Sequence, residues 1–268
     1  MLAKRVLAVA EGITVEDVLC TSGRSSWSAP EPTESYGVVF VRRGCFRRRV
    51  DGFESFLDPV SLYVDEPGHE QQVAHPCDGG DECTQIVLSG VAVGALWGDL
   101  SPSRGPIFTS SAADLVHRRL VSSLRSGDAF DLAERVGQLL AAVRECGTRI
   151  RHRGRATTAA ARHRVVDDAR EAIAVQPTIG LFELARVVAV SPHHLSRIFR
   201  VETGETISRY RNRARVRLAL ERLADRERSL SRLAGELGFA DQAHLARVVR
   251  REVGSTPSAL RSTLGIGI

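Results

Sequence analysis

The spacing of hydrophobic and polar positions changes character along the chain. Between Tyr36 and Ser89, short segments rich in β-branched and aromatic residues follow one another: GVVFVRRG, CFRRRV, FESFL, SLYV and CTQIVLS. Turn signals separate them at Asp51-Gly52, Asp58-Pro59, Glu66-Pro67-Gly68 and Asp78-Gly79-Gly80. Short strands punctuated in this way predict a small sandwich or barrel. From Ser111 the period becomes helical. Ala113, Val116, Leu120 and Leu124 recur at three and four, as do Leu132, Val136, Leu139, Leu140 and Val143. Gly127-Asp128 separates these stretches. They predict a helix pair that either covers one side of the β domain or offers a dimerisation surface. The segment TRIRHRGRATTAAARHR (148–164) lacks an apolar stripe and reads as a basic linker. Beyond it the pattern is helical to the end. The expected organisation is α+β: a β domain with two appended helices at 1–148, a linker at 149–164 and an all-α domain at 165–268.

The all-α part contains a duplication. LARVVAVSPHHLSRIFRVETG starts at Leu184 and LAGELGFADQAHLARVVRREVG at Leu233. Leu195, Arg197, Arg200 and Gly204 recur fifty residues later as Leu245, Arg247, Arg250 and Gly254. Each copy predicts helix, tight turn, helix. Ser191 and Asp241 suit the N-cap, Pro192 the first helical position, and Gly238 a left-handed helix end. With Leu195, Ile198 and Phe199 inward, His193, Ser196, Arg197 and Arg200 remain outside. In the second copy Leu245, Val248 and Val249 go inward and leave Gln242, Ala243, Ala246, Arg247 and Arg250 outside. This is the helix-turn-helix plan, whose second helix enters the DNA major groove. His193 and His194 make a poor metal chelate, because helical neighbours point about 100° apart and a helical chelate uses residues four apart. Between the copies, TISRYRNRARVRLALERLAD predicts a long connector, with Ile207, Tyr210, Ala214 and Leu218 on one stripe and Arg209, Arg211, Arg213, Arg215 and Arg217 around it. A stiff connector that holds the recognition helices about 34 Å apart lets both enter successive major grooves.

Charge sharpens this division. The net charge of +5 over 268 residues is uneven. Residues 1–148 hold 14 Lys/Arg against 20 Asp/Glu, net −6, and residues 149–268 hold 23 against 12, net +11. A basic half joined to an acidic one suits a polyanion-binding domain attached to something else. No apolar run reaches membrane-spanning length, and Glu11 interrupts MLAKRVLAVAEG too early for a secretory signal, so a cytoplasmic protein is expected. In that compartment five scattered cysteines (20, 45, 77, 83 and 146) argue against a disulfide framework.

From about Val165 to Leu260 the chain resembles the DNA-binding domain of AraC/XylS-type transcriptional regulators. The resemblance rests on LxxLA…SPxxLSRxFRxxxG, the arginine-rich connector and LAxELGFxDQxHLxRxxRRexGxTPsxLR. From residue 36, a GxF strand pair, a Pro-Gly turn and HPxxGGDxC resemble the family's cupin-like sensor domain. The resemblance implies base contacts from His193, Ser196, Arg197, Gln242, Ala243 and Arg247, and phosphate contacts from Arg200 and Arg250. Arginine pairs bidentately with guanine and glutamine with adenine, whereas Ala243 offers only an apolar contact. It also implies promoter DNA and RNA polymerase as partners, activation (repression at some sites is equally compatible with the residues), a homodimer through the N-terminal domain, and an effector that the residues do not identify. One departure stands out. Val249 occupies a position where the family carries an aromatic residue like Phe199, which predicts a less firmly packed second recognition helix.

The β region holds further candidates. His69, His75, Cys77 and Cys83 share one strand–turn–strand region, and thiolate with imidazole suits zinc or another soft metal. His75, Cys77 and Cys83 are the candidate ligands for a metal- or redox-responsive regulator; Cys83 in a core turn is the alternative. Arg42, Arg43, Arg47, Arg48 and Arg49 either line an anion pocket or form a solvated face. A cupin-type metalloenzyme is a remote alternative, with His69, Glu70 and His75 available but no HxH with a later Glu. P-loop, GxSxG and HExxH are also missing, so no enzyme is expected.

Overall fold

The computed structural model describes residues 2–21, 23, 26–76, 79–97, 105–125, 131–147, 156–225, 227 and 229–264. The N-terminal half contains two antiparallel sheets. The larger has the order β1 (Leu2–Ala10), β2 (Ile13–Cys20), β9 (Asp81–Leu88), β4 (Tyr36–Gly44), β7 (Ser61–Asp65) and β10 (Ile107–Phe108). The smaller has the order β3 (Glu31–Pro32), β8 (Glu70–Ala74), β5 (Phe46–Val50) and β6 (Phe53–Leu57). Strand β4 shows why GVVFV is an unbroken apolar run. Val39 and Val41 join Val18, Phe46, Leu57 and Cys83 in one core, while Val38 and Phe40 join a second core with α2 (Ser111–Arg125) and α3 (Leu132–Gly147). A strand buried on both faces has no polar side to alternate with. Leu120, Leu124, Val136, Leu139, Leu140 and Val143 all enter that second core, so the helix pair covers the large sheet.

The structure adds strands at the N-terminus that the pattern did not predict. LAKRVLAVA (Leu2–Ala10) pairs as an outer hairpin with β2, turning at Gly12 with φ +71. Its outward residues Leu2, Val6 and Val9 are exposed, which removes the alternation that marks a strand. After β9 come a three-residue helical turn, α1 (Gly90–Ala92), and a π-helical turn, Val93–Trp97. Gly127 and Asp128 lie outside the described residues. Residues 148–155 do as well; α4 begins at Ala156, within the segment expected to be a linker, and runs to Val175.

The C-terminal half is built on the connector α7 (Ile207–Ala224). Around its first part, α4, α5 (Leu181–Val187) and α6 (Pro192–Thr203) bury Val166, Ile173, Leu184, Leu195, Ile198, Phe199 and Tyr210. Around its second part, α8 (Leu230–Glu236), α9 (Gln242–Val253) and α10 (Pro257–Leu264) bury Leu233, Leu237, Phe239, Leu245, Val248, Val249 and Leu260. The 18 residues of α7 rise about 27 Å, so one rigid rod carries both units.

Local signals account for each unit's shape. Ser191 Oγ accepts from His194 N at 3.2 Å, and Asp241 Oδ1 accepts from His244 N at 2.6 Å. Gly204 and Gly254 end the recognition helices in the left-handed region. In the turns, Ala189 (φ +55) and Gly238 (φ +70) hold the same left-handed place in the two copies. At Gly238 a Cβ would stand 2.7 Å from Thr178 Cγ2 and 3.4 Å from Arg215 Nη2. Gly238→Ala will therefore destabilise the chain by about 1–3 kcal/mol, to be measured by urea denaturation, while Ala189→Gly costs little.

Candidate nucleic-acid interface

On α6, His193, Ser196, Arg197 and Arg200 are all exposed; on α9, Gln242, Ala243, Arg247 and Arg250 are all exposed. Both sets lie on the face opposite the buried residues of their helix. His194 is half-buried, and its Nδ1 lies 3.2 Å from Arg197 Nη2, a contact that steadies the guanidinium without a carboxylate. In α9, His244 sits edge-on to Phe239 at 5.5 Å, and its Nδ1 accepts from Ala240 N at 3.3 Å.

The expected weakness of the second helix does not show in its packing. Val249 is fully buried, like Phe199. The aromatic ring has moved in the chain rather than vanished. Phe199 stands edge-on to Tyr210 at 5.1 Å, with Val190 in the turn before it; in the second copy Val249 is on the helix and Phe239 is in the turn. The two cores exchange a large and a small side chain between the same two places, which conserves volume.

The connector's arginines behave differently from a DNA-facing basic stripe. Arg213, Arg215 and Arg217 are buried. Arg213 pairs with Glu205 at 2.5 Å and donates to the carbonyl of Thr109. Arg217 meets Asp114 and the carbonyl of Pro59, and donates to Thr109 Oγ1 at 2.8 Å. Asp114, Thr109 and Pro59 all belong to the N-terminal half. Arg170 on α4, wholly buried, makes the densest junction. It donates to Phe56 O (2.7 Å), Asp58 Oδ1 (3.0 Å), Ser61 Oγ (3.1 Å), Asp167 Oδ1 (2.8 Å) and Tyr210 Oη (2.9 Å). Burial opposes its charge, but Asp58, Tyr210 and Asp167 outweigh burial and raise its pKa.

Arginines of the β domain meet carboxylates from the other side. Arg47 reaches Asp168 at 2.6 Å and Glu171 at 2.7 Å, and Arg43 reaches Asp225 and Glu221. Glu221 also receives Arg118 of α2; burial pushes its pKa up, but Arg118 and Arg42 hold it below its ordinary value. Arg42 and Arg48 are buried against Asp17 and Asp65. All five arginines are thus ion-paired: Arg43 and Arg47 with the C-terminal half, and Arg42, Arg48 and the half-buried Arg49 within the β domain. A cavity of about 470 Å³ sits at this junction, lined by Cys45, Asp58 and Pro59 on one side and Arg170, Tyr210 and Arg215 on the other.

His163 on α4 borders the same network, 3.3 Å from Asp167 and 3.9 Å from Glu202. Burial lowers its pKa, but Glu202 and Asp167 more than compensate, so the folded pKa is raised. The protonated ring is the stabilising form. Its contribution is complete below the unfolded pKa of about 6.5 and is lost as pH rises through the raised folded value. His163→Gln will therefore lower the thermal midpoint at pH 5.5–6 more than at pH 8–9; a deficit that grows with pH would contradict this assignment.

The other candidates are scattered or regrouped. His69 is half-buried, 3.9 Å from Asp51 and away from His75. Cys77 lies outside the described residues. His75 Nε2 lies 2.6 Å from Asp81 Oδ1, and the Cys83 thiol donates to Asp81 Oδ2 at 3.2 Å. Cys20 joins His75 and Asp81, with donor atoms all within 4.8 Å of one another. Neither Cys20 nor Asp81 was a sequence candidate, because the three residues come together only through strand pairing.

The description "Helix-turn-helix domain" fits a model that matches residues 184–263, the span from α5 to α10. Over 81 residues the chain is 36% identical to regulatory protein SoxS of Salmonella typhimurium, a match covering 76% of SoxS and 30% of this chain. The chain belongs to the AraC/XylS family of transcriptional regulators. This AraC/XylS-type regulator is also similar to the crystal structure of ToxT from Vibrio cholerae, at 10% identity and a TM-score of 0.38, covering 97% of this chain and 100% of that one. A cupin 2 conserved barrel domain protein from Salinispora arenicola matches at 15% identity and a TM-score of 0.29, over 34% of this chain and 77% of that one. The protein is a transcriptional regulator with an AraC-type helix-turn-helix DNA-binding domain. No helix among the described residues is long and apolar enough to cross a membrane.

Proposed function

We propose that this AraC/XylS-type regulator binds promoter DNA sequence-specifically through both recognition helices and that an effector acting on the N-terminal domain controls it. The carrying observation is the repeated exposure of matched residues on α6 and α9, in two capped helices hung from one rod. His193, Ser196 and Arg197, with Gln242, Ala243 and Arg247, read base edges. Arg200 and Arg250 neutralise phosphates and supply affinity that falls with salt. Regulation follows from the junction. The N-terminal domain grips α4 and α7, the elements that set the relative placement of the two units, through Arg170, Arg217 and Arg43. An effector that binds one arrangement of the halves better than another shifts the population toward it. The cavity between Asp58 and Arg215 lets a small molecule bear on both halves. A homodimer through the N-terminal domain and activation by contact with RNA polymerase complete the reading, both from the family resemblance.

The test is selection of duplexes from a random-sequence library by the full-length protein, followed by footprinting. The expected product is a bipartite site with two contacted segments about one helical turn apart. A library that shows no enrichment, with binding that is sequence-independent at all salt concentrations, would overturn the proposal.

A further inference from the structure

One corner of the β domain gathers metal-binding donors from both sheets. Cys20 ends β2, Asp81 begins β9 directly opposite it, and His75 follows β8 of the smaller sheet. The three donor atoms lie within 4.8 Å of one another. His75 and Asp81 are buried, and Cys20 is half-buried. The corner is built for close approach. Gly80 has φ +71, and a Cβ there would lie 1.9 Å from the carbonyl oxygen of Cys20; Gly44 has φ +71, and its Cβ would lie 2.1 Å from the carbonyl oxygen of Gly80. Any other residue at either position would push the three strand ends apart and separate Cys20 from Asp81. Cys83, fully buried behind Asp81, donates its S–H to Asp81 Oδ2 at 3.2 Å. That hydrogen bond fixes the orientation of the carboxylate.

We infer that Cys20 Sγ, His75 Nε2 and Asp81 Oδ1 form a binding site for a divalent, borderline-soft transition ion of the zinc class. Thiolate, imidazole and carboxylate together match that class, whereas an all-oxygen set would suit magnesium or calcium. Bond lengths of about 2.0–2.3 Å place tetrahedral donors roughly 3.3–3.8 Å apart. The His75–Asp81 pair at 2.6 Å must open by about 1 Å for this. On binding, the Cys20 thiol loses its proton to solvent, and the hydrogen on His75 Nε2 also leaves to solvent while Nδ1 carries the hydrogen of the neutral ring, so that two metal–ligand bonds replace the His75–Asp81 hydrogen bond. Three protein ligands leave a fourth position for water. Cys83 is a positioning residue, holding Asp81 through its second oxygen. Of the trio expected from the sequence, His75 is a ligand here and Cys83 sits behind Asp81, while Cys77 lies outside the described residues. The site stands on donor geometry within the β domain, so it and the DNA-binding reading fail separately.

The experiment uses the full-length chain, stripped with chelator under reducing conditions and titrated with Zn²⁺ against a chromophoric competitor, and separately with Co²⁺. The expected result is one ion per chain and a cobalt spectrum with a thiolate charge-transfer band. Cys20→Ser removes that band and weakens zinc binding at least tenfold. Cys83→Ser keeps the band but weakens binding about 10–100-fold. Cys146→Ser, altering a buried cysteine that accepts from Ser110 N instead, binds as the wild type does. Should the Cys20 variant fail to fold, alkylation of the wild-type chain decides: zinc must protect Cys20 from iodoacetamide. Absence of stoichiometric binding, undiminished affinity in folded Cys20→Ser, or unprotected Cys20 would overturn the assignment and leave His75–Asp81 as a structural hydrogen bond only.

Discussion

Arg170→Ala will cost the protein about 3–5 kcal/mol of stability, the largest loss expected from any single truncation at the domain junction. The side chain is wholly buried and makes five hydrogen bonds, to β-domain groups and to Tyr210 and Asp167. Truncation leaves the Asp58 and Asp167 carboxylates buried without their guanidinium, and the penalty comes mainly from those stranded charges. The triple variant Arg170→Met, Asp58→Asn, Asp167→Asn should therefore recover much of the loss. Arg47→Ala, at a partly exposed pair with Asp168 and Glu171, should cost about 1 kcal/mol. Urea denaturation of the four chains, with limited proteolysis between the halves, measures this. A loss below about 1 kcal/mol for Arg170→Ala would mean that the junction is open to water in solution.

The second large effect lies on DNA. Arg197→Ala and Arg247→Ala should each cost about 1–3 kcal/mol at the selected site and little on unrelated duplexes, because a bidentate arginine–guanine pair carries sequence information. Arg200→Ala and Arg250→Ala should weaken all duplexes alike and reduce the salt slope by about one. Losses of similar size are expected from the two copies. Val249 is as buried as Phe199, and Phe239 restores the missing aromatic volume from the turn. Affinity by fluorescence anisotropy at several salt concentrations separates the classes. Retention of site preference by the double variant Arg197→Ala/Arg247→Ala would show that specificity comes from elsewhere.

Local rules made the DNA-binding half legible in the sequence. Caps, left-handed glycines and three–four periodicity act within a few residues. Ser191, Asp241, Gly204 and Gly254 could be placed without knowing their neighbours in space, and so could the exposed faces of α6 and α9. Strands β4 to β7 and β9 were legible for the same reason, since Asp51-Gly52 and Asp58-Pro59 announce their own turns. The outer hairpin was not, because Leu2, Val6 and Val9 point to solvent and blur the alternation.

What only the tertiary structure decided is which charges face each other. Sequence composition divided the chain into an acidic and a basic half, and local reasoning assigned the basic surplus to a polyanion. The fold uses much of that surplus differently. Arg170, Arg213 and Arg217 are buried against Asp58, Glu205, Asp114 and backbone carbonyls, and Arg43 and Arg47 return the contact from the β side. The Cys20–His75–Asp81 corner is decided in the same way, by pairing of β2 with β9 and by the smaller sheet closing over both. Such partners lie up to 182 residues apart, as Arg43 and Asp225 do. Periodicity reports which face of an element is buried; only the assembled fold determines what meets it there.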